Sequence, residues 1–182
     1  MKELSLHILD IVQNSLGAKA SLIEIDIEED IKNDLLIIKI RDNGSGMDPD
    51  TIKKVMDPFF TTRTTRKVGL GIPLFAQAAQ SCGGGLKIYS KKGKGTEIVA
   101  SFTLSHIDRA PIGSMADTMV SLIAVWPNVD FVYKHSVGDR GFTLDTREIK
   151  KTLEDVPINN PMVIDWIKEF VNENLKEING GA

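Results

Sequence analysis

The sequence predicts an α/β fold built around one main core, and three observations carry that expectation. Leu4, Ile8, Ile11, Val12 and Leu16 recur at helical spacing. Ile23, Ile25 and Ile27 alternate strictly with Glu24, Asp26 and Glu28, the period of a strand with one buried face. The 182 residues, 42% hydrophobic and 26% charged, suffice for one domain with an elaboration but make two independent domains a tight fit.

Taken in order, a first helix is expected over Leu4 to Leu16, ended by Gly17, with Glu3, His7, Asp10 and Asn14 aligned as a polar stripe. The alternating strand follows, then a polar turn at Glu29 to Asn33 and a second strand from Leu35 to Arg41. Period two places Asp42 on the apolar face shared by Leu36, Ile38 and Ile40. Asp48 and Pro49 read as the cap and first position of a short helix reaching about Met56. A polar stretch from Thr61 to Val68 leads to a helix over Ile72 to Cys82, bracketed by Pro73 and by Gly83 to Gly85. Leu86 to Ser90 and Thr96 to Leu104 form a hairpin whose second strand sends Thr96, Ile98, Ala100, Phe102 and Leu104 inward.

Residues 1–106 are read as one domain, and residues 107–182 as an α/β extension entered through His106 to Gly113. The extension is expected to hold a helix over Ser114 to Trp126, a hairpin of Phe131 to Val137 with Phe142 to Leu144, and helices near Thr146 to Glu154 and Pro161 to Glu177. Asp145 with Glu148 fits a capping box, and Asn160 before Pro161 fits a capped helix start. Trp126, Trp166 and Phe170 are assigned to the core.

Composition excludes several classes. A formal net charge of -3 gives no basic excess to attract nucleic acid. The single cysteine, Cys82, can build neither a disulfide framework nor a cysteine-rich zinc site, which fits a reducing cytoplasm. The start of the chain lacks a signal-peptide pattern, and the longest apolar run, Met119 to Trp126, falls well short of the ~20 residues a spanning helix needs, so a soluble cytoplasmic protein is expected.

Four short motifs fall in a telling order: Asp10-x-x-x-Asn14 on a helix, Asp42-Asn43-Gly44-Ser45-Gly46-Met47 after a strand, Gly69-Leu70-Gly71 before a helix, and Gly95-Thr96 opening a strand. Each alone is weak, but the order is specific. DIVQNSLGAKA at Asp10 to Ala20 resembles the asparagine box of the superfamily that unites histidine kinases, the DNA gyrase B subunit, heat-shock chaperones and MutL proteins, known as GHKL. RDNGSGM and VGLGI resemble its glycine boxes, DPFFTTR at Asp57 to Arg63 the phenylalanine box of histidine kinases, and GKGTEIVASF its closing strand. The resemblance, over residues 1 to about 104, implies the Bergerat fold: a two-layer α+β sandwich, its mixed sheet covered by helices on one face, with ATP held between the helices and a lid.

The same resemblance implies nucleotide contacts from Asn14, Ala18, Asp42, Gly44, Gly46, Met47, Phe60, Thr61, Thr62, Lys67, Val68, Gly69, Leu70, Gly71, Ile72 and Thr96, with the lid at Thr61 to Lys67. Physical chemistry supports several of these roles. An inward Asp42 either caps its own turn or meets a donor such as adenine's amine, and guanine's carbonyl would leave acceptors unpaired at ~1–3 kcal/mol, so ATP is preferred to GTP. Asn14 supplies the kind of oxygen that Mg²⁺ accepts while it keeps waters and phosphate ligands. Gly44 and Gly46 let the backbone pass close to a flat base, against which Met47 can lie. Gly69, Leu70 and Gly71 precede a helix whose free amides can meet phosphate. Thr96 reaches the adenine side directly or through water, or serves only as a strand threonine. Phe59 and Phe60 are expected to anchor the lid's hinge. No Gly-x-x-x-x-Gly-Lys-Ser/Thr is present, which excludes the P-loop solution.

Asp10 stands where ATP-hydrolysing relatives commonly carry glutamate, and the shorter side chain withdraws the carboxylate by ~1.5 Å, so slow turnover is expected of it as general base. His7 shares its stripe but lies on the nucleotide-binding helix itself, an awkward place for self-phosphorylation, and His106 and His135 have no motif support. Nothing upstream of Leu4 offers a phosphoacceptor helix pair. The expectation is a kinase-type ATPase domain acting on a separate protein. Two further readings stay open: a non-catalytic module whose lid closure recruits a partner, and a slow MutL-like hydrolase coupled to homodimerisation.

Overall fold

The computed structural model describes residues 2–57 and 70–180. The chain runs α1 (Leu4–Gly17), β1 (Leu22–Asp30), β2 (Leu35–Asp42), α2 (Pro49–Val55), α3 (Gly71–Ser81), β3 (Gly85–Lys91), β4 (Gly95–Thr103), α4 (Met115–Val125), β5 (Asp130–Val137), β6 (Arg140–Asp145), α5 (Thr146–Leu153) and α6 (Pro161–Ile178). The strands form one six-stranded sheet in the order β3-β4-β2-β1-β5-β6, mixed because β1 and β5 run parallel while every other pair is antiparallel. Helices pack on the sheet to make the expected two-layer α/β fold.

Alternation sets which side chains enter the core. Ile23, Ile25 and Ile27 of β1, Leu36, Ile38 and Ile40 of β2, and Ile98, Ala100 and Phe102 of β4 are buried together with Ile8, Ile11 and Val12 of α1 and Phe75 of α3. The extension does not begin a separate sheet. β5 pairs with the free edge of β1, bringing Ile25 opposite Tyr133 and Ile27 opposite His135, and Met115, Met119, Ile167 and Val171 join the same hydrophobic cluster.

β1 also runs further than the turn expected at Glu29. Glu29 pairs with Leu36 on one side and Val137 on the other, and its carboxylate reaches His135 Nε2 at 2.8 Å. The turn falls instead at residues 31–34, where Asp34 takes a φ of 53° and accepts from Ser105 N and Oγ at 2.9 and 2.7 Å.

The segment joining the two parts of the chain fixes the first helix. Glu3 gives no side-chain cap to α1. Two of the amides that a helix start leaves unpaired are met by the carbonyls of Pro111 and Ile112, which accept from Leu4 N at 2.9 Å and Ser5 N at 2.8 Å. α1 therefore has its register set from outside.

Two further expectations are corrected. Asp145 caps α5 through Arg147 N at 3.0 Å, but Glu148 does not complete a capping box and instead pairs with Lys151 at 3.3 Å. Trp126 and Trp166 are not core residues: they are 39% and 52% exposed, and only Phe170 of that group packs against the core. Among the described residues no helix is long and apolar enough to cross a membrane.

Candidate functional site

The register of the sheet lines up polar side chains at one end of its helix-covered face. Ser90 lies opposite Thr96, Thr96 opposite Asp42, and Asp42 opposite Ile23. Asp42 is 9% exposed, a burial that a carboxylate tolerates only with donors around it. Two are present: Ser15 on α1 donates its hydroxyl to Oδ2 at 2.7 Å, and Gly44 N donates to Oδ1 at 2.8 Å. Asp42 thus caps its own turn with one oxygen. A carboxylate offers roughly four lone-pair directions, so acceptor capacity remains for a further donor.

Beside it, Ser90 Oγ accepts from Met47 N at 2.8 Å, donates to Gly95 O at 3.0 Å, and lies 2.7 Å from Thr96 Oγ1. With the Ser90 proton committed to Gly95, Thr96 is the donor of that last pair. An open groove of about 360 Å³ runs over the ends of β2, β3 and β4, lined by Asp42, Ser90 and Thr96 and also by Arg41, Tyr89 and Glu97 of the alternate strand positions.

The glycines here make room for protein backbone. Gly46 has a φ of +70°, and a Cβ on it would lie 2.1 Å from the carbonyl oxygen of Lys91. A Cβ on Gly44 would lie 2.8 Å from Ala18 O and 2.9 Å from Ala18 Cβ, and Ser45 N donates to Ala18 O at 2.9 Å. The loop after β2 is therefore pressed against the end of α1 and the β3–β4 hairpin, with Met47 half-buried at its far side.

α1 also carries the other end of the site. His7 stacks on Phe75 of α3 with ring centroids 5.2 Å apart, and a Cβ on Gly71 would lie 3.3 Å from Asp10 Cβ and 4.0 Å from Asn14 Nδ2. The seam thus brings the N-terminus of α3 to Asp10 and Asn14. Leu70, at the N-cap, gives no side-chain cap, Pro73 has no amide hydrogen, and Leu74 N bonds Leu70 O at 3.0 Å. The amides of Gly71 and Ile72 accordingly have no partner within the helix, and they carry its positive dipole end.

Partial burial raises the Asp10 carboxyl above its ordinary value. Burial is also the main cause that lowers the pKa of His7, which is only 4% exposed and whose Nδ1 has no hydrogen-bond partner among the described residues. His7, Asp10 and Asn14 of the expected polar stripe therefore face α3, which covers that side of α1.

Of the residues singled out in the sequence, Asn14, Ala18, Asp42, Gly44, Gly46, Met47, Gly71 and Thr96 come together with Asp10 around α1 and the ends of β2 and β4. Ile72 is 6% exposed and belongs to the hydrophobic cluster, while Leu70 is 36% exposed. Phe60, Thr61, Thr62, Lys67, Val68 and Gly69 lie outside the described residues. Sequence reasoning passed over Ser15, Asn43 and Ser90. Ser15 had a signal, since it continues the buried series Ile8, Ile11, Val12 at helical spacing and is the polar member of it. Asn43 ties the loop to the start of β1, its Oδ1 accepting from Ser21 N at 2.8 Å and Leu22 N at 3.0 Å.

No group of three or more His, Cys, Asp or Glu side chains with metal-binding geometry occurs among the described residues. The donor set fits Mg²⁺ held by one protein oxygen from Asn14 together with phosphate and water, and it does not fit a dedicated protein cage.

The family model described as histidine kinase-, DNA gyrase B- and HSP90-like ATPase matches residues 2–106. A protein of Shewanella frigidimarina carrying a sensor-protein name is 35% identical over 105 residues, 56% of this chain and 16% of that protein. The sensor protein kinase FleS of Pseudomonas aeruginosa is 33% identical over 110 residues, 60% of this chain and 27% of that one. The matched part is thus a minor fraction of each relative's length. Among solved structures, the Aquifex aeolicus MutL ATPase domain complexed with ADP aligns with a TM-score of 0.49 and 19% identity, covering 85% of this chain and 68% of that one. On the family match across most of its sheet and all of its candidate site, the chain belongs to the histidine kinase-, DNA gyrase B- and HSP90-like ATPase family.

Proposed function

We propose that this chain binds Mg-ATP along α1 and acts, as a histidine-kinase-type ATPase domain in the cytoplasm, on a separate partner protein. The observation that carries the reading is the position of α1. One helix presents Ser15 and Ala18 to the Asp42 loop, and Asp10 and Asn14 to the N-terminus of α3. From Asp10 to Ala18 the helix rises about 12 Å, enough for a nucleotide to lie along it with its base at one end and its phosphates at the other.

Each residue then has a definite task. Asp42 accepts from the exocyclic amine of adenine, and the hydrogen bonds from the Ser15 hydroxyl and the Gly44 amide aim its carboxylate. The Gly71 and Ile72 amides meet phosphate oxygens. Asn14 would hold Mg²⁺, which would supply charge neutralisation at the phosphate oxygens. Asp10 orients the attacking nucleophile and takes its proton, its raised pKa making it a better base than an ordinary aspartate. By the sequence resemblance alone, Thr61, Thr62 and Lys67 belong to the proposed lid, Phe60 to its hinge, and Val68 and Gly69 to the glycine box before α3. Sensor-kinase relatives support transfer to a protein over simple hydrolysis.

The test is calorimetric titration of the chain with ATP and with GTP, each with Mg²⁺, followed by incubation of labelled ATP with a lysate of the source cells. Single-site binding of ATP in preference to GTP, and label on a protein, are the expected results. Equal affinity for the two nucleotides would sink the role of Asp42.

A second reading is favoured by the pinning of α1. Because Pro111 and Ile112 hold its first turn and β5 extends the sheet from β1, nucleotide-driven movement of α1 would be felt by the extension, as a binding module requires. Under that reading Asp10→Ala leaves partner binding intact, whereas Asp42→Asn abolishes it.

A further inference from the structure

α6 rests on α4, β5 and β6 through Ile167 and Val171, and so turns its opposite side to solvent. That side is not uniformly polar. Trp166 is 52% exposed and Met162, one turn before it, is 81% exposed. The indole is held in place: it stacks on Phe170 at 5.3 Å, Phe170 meets Phe142 edge-on at 6.1 Å, and Phe142 meets the buried Tyr133 edge-on at 5.6 Å. A large aromatic side chain fixed by a ladder of rings loses little freedom when something binds over it.

Charge around this face is one-sided. Asp165, Glu169 and Glu173 are exposed along the same helix. Residues 161–178 carry four carboxylates against two lysines, Lys168 and Lys176, while the whole chain has a formal charge of only -3. Lys168 is already engaged by Asp117 at 3.1 Å. The acidic excess therefore gathers where the exposed aromatic sits.

That charge selects the occupant. A second copy of the same face would set carboxylate against carboxylate, and nucleic acid or an anionic lipid surface would be repelled. A positively charged partner is attracted. The apolar and acidic positions run for more than two turns along one helix, so a long, narrow occupant fits them better than a loop. We propose that this face of α6 docks a basic amphipathic helix of a partner protein, with Trp166 and Met162 between its apolar side chains and Asp165, Glu169 and Glu173 facing its lysines or arginines. The surface needs no nucleotide and lies outside the matched family region, so it stands apart from the ATP-binding proposal.

The experiment titrates the full chain, without nucleotide, against two labelled designed helices that share one leucine face, one carrying lysines and the other glutamates on the polar face. The lysine helix is expected to bind, more weakly as salt rises, and the glutamate helix is not. Trp166→Ala weakens the lysine helix about tenfold or more. The double change Asp165→Lys with Glu169→Lys turns the preference toward the glutamate helix, a gain that a misfolded variant could not show. Equal binding of both helices overturns the proposal, as does binding that Trp166→Ala leaves unchanged. A sedimentation dimer dissolved by Trp166→Ala gives the face to a second copy and overturns it too. An ATP titration of the unaltered chain keeps the two proposals separate, because failure of the lysine helix to bind a chain that still binds ATP counts against this one alone.

Discussion

Ser15 and Asp42 meet at 2.7 Å across the junction of the first helix and the second strand, hydroxyl to carboxylate, inside a region almost closed to solvent. This contact fixes the direction of the group assigned to the purine. Asp42→Asn replaces one acceptor oxygen by a donor and sets an amide against the Ser15 hydroxyl or the Gly44 amide. ATP affinity should fall about ten- to hundredfold, the equivalent of ~1–3 kcal/mol, with the preference over GTP largely gone. Ser15→Ala leaves the carboxylate with the Gly44 donor alone and should weaken binding less than Asp42→Asn while preserving the preference. Calorimetry with both nucleotides measures each outcome.

Asp10 should set function against stability. Its carboxyl is held above the ordinary value by burial, so the folded state holds the proton more tightly than the unfolded chain does. The resulting stabilisation is present at acid pH and is lost as pH rises through the folded value. Asp10→Asn removes that loss. Its melting temperature should therefore exceed that of the unaltered protein at pH 7 by more than it does at about pH 3, where both side chains are neutral. Phosphate release or transfer should drop ~100-fold or more, with ATP binding retained. Thermal melts at the two pH values and a turnover assay check both halves.

How far the sequence could be read depends on the range of the forces involved. The alternation at Ile23, Ile25 and Ile27 and the caps at Asp48 and Asn160 are local, and the helices and strands appear close to where those residues place them. Asp42 was legible for the same reason, since period two carries it to the buried face. Contacts between distant segments were not. Nothing near Glu29 announces that His135 will neighbour it and extend β1, and nothing near Leu4 announces that Pro111 will bond its amide. His7 and Trp166 were misjudged by type: a histidine in a polar stripe was buried by α3, and a tryptophan at core spacing was left outside.

His7 should give the fold an acid limit. Burial lowers its pKa, so the folded state favours the neutral ring. The stability this provides is present above the ordinary histidine value of about 6.5 and is lost as pH falls through the lower folded value. His7→Phe keeps a ring stacked on Phe75 and removes the unpaired Nδ1, which should raise stability at pH 5 by ~1–3 kcal/mol and flatten its pH dependence relative to the unaltered protein. Urea unfolding at pH 5 and pH 8 reads the difference. Equal slopes for the two proteins would reject the assignment, because the Glu29–His135 pair is common to both.

Gly95 offers the sharpest test of how the hairpin supports the site, because a nearby glycine serves as its control. Both Gly93 and Gly95 have positive φ, +81° and +112°, yet a Cβ on Gly93 meets nothing within 4 Å, whereas one on Gly95 would lie 2.0 Å from the carbonyl oxygen of Asp42 and 3.0 Å from Asn43 Cα. Gly93→Ala therefore carries only the conformational penalty of a side chain in that region, ~1–2 kcal/mol. Gly95→Ala adds a backbone clash that only a shift of the β2 end can relieve, and it should cost several kcal/mol in all. Because that shift moves Asp42 away from Ser15, ATP affinity should fall together with stability in Gly95→Ala and remain near that of the unaltered protein in Gly93→Ala. Paired unfolding and calorimetric titrations of the two variants decide it. If Gly95→Ala lost stability but kept its nucleotide affinity, the end of β2 would not be the place where the base is held.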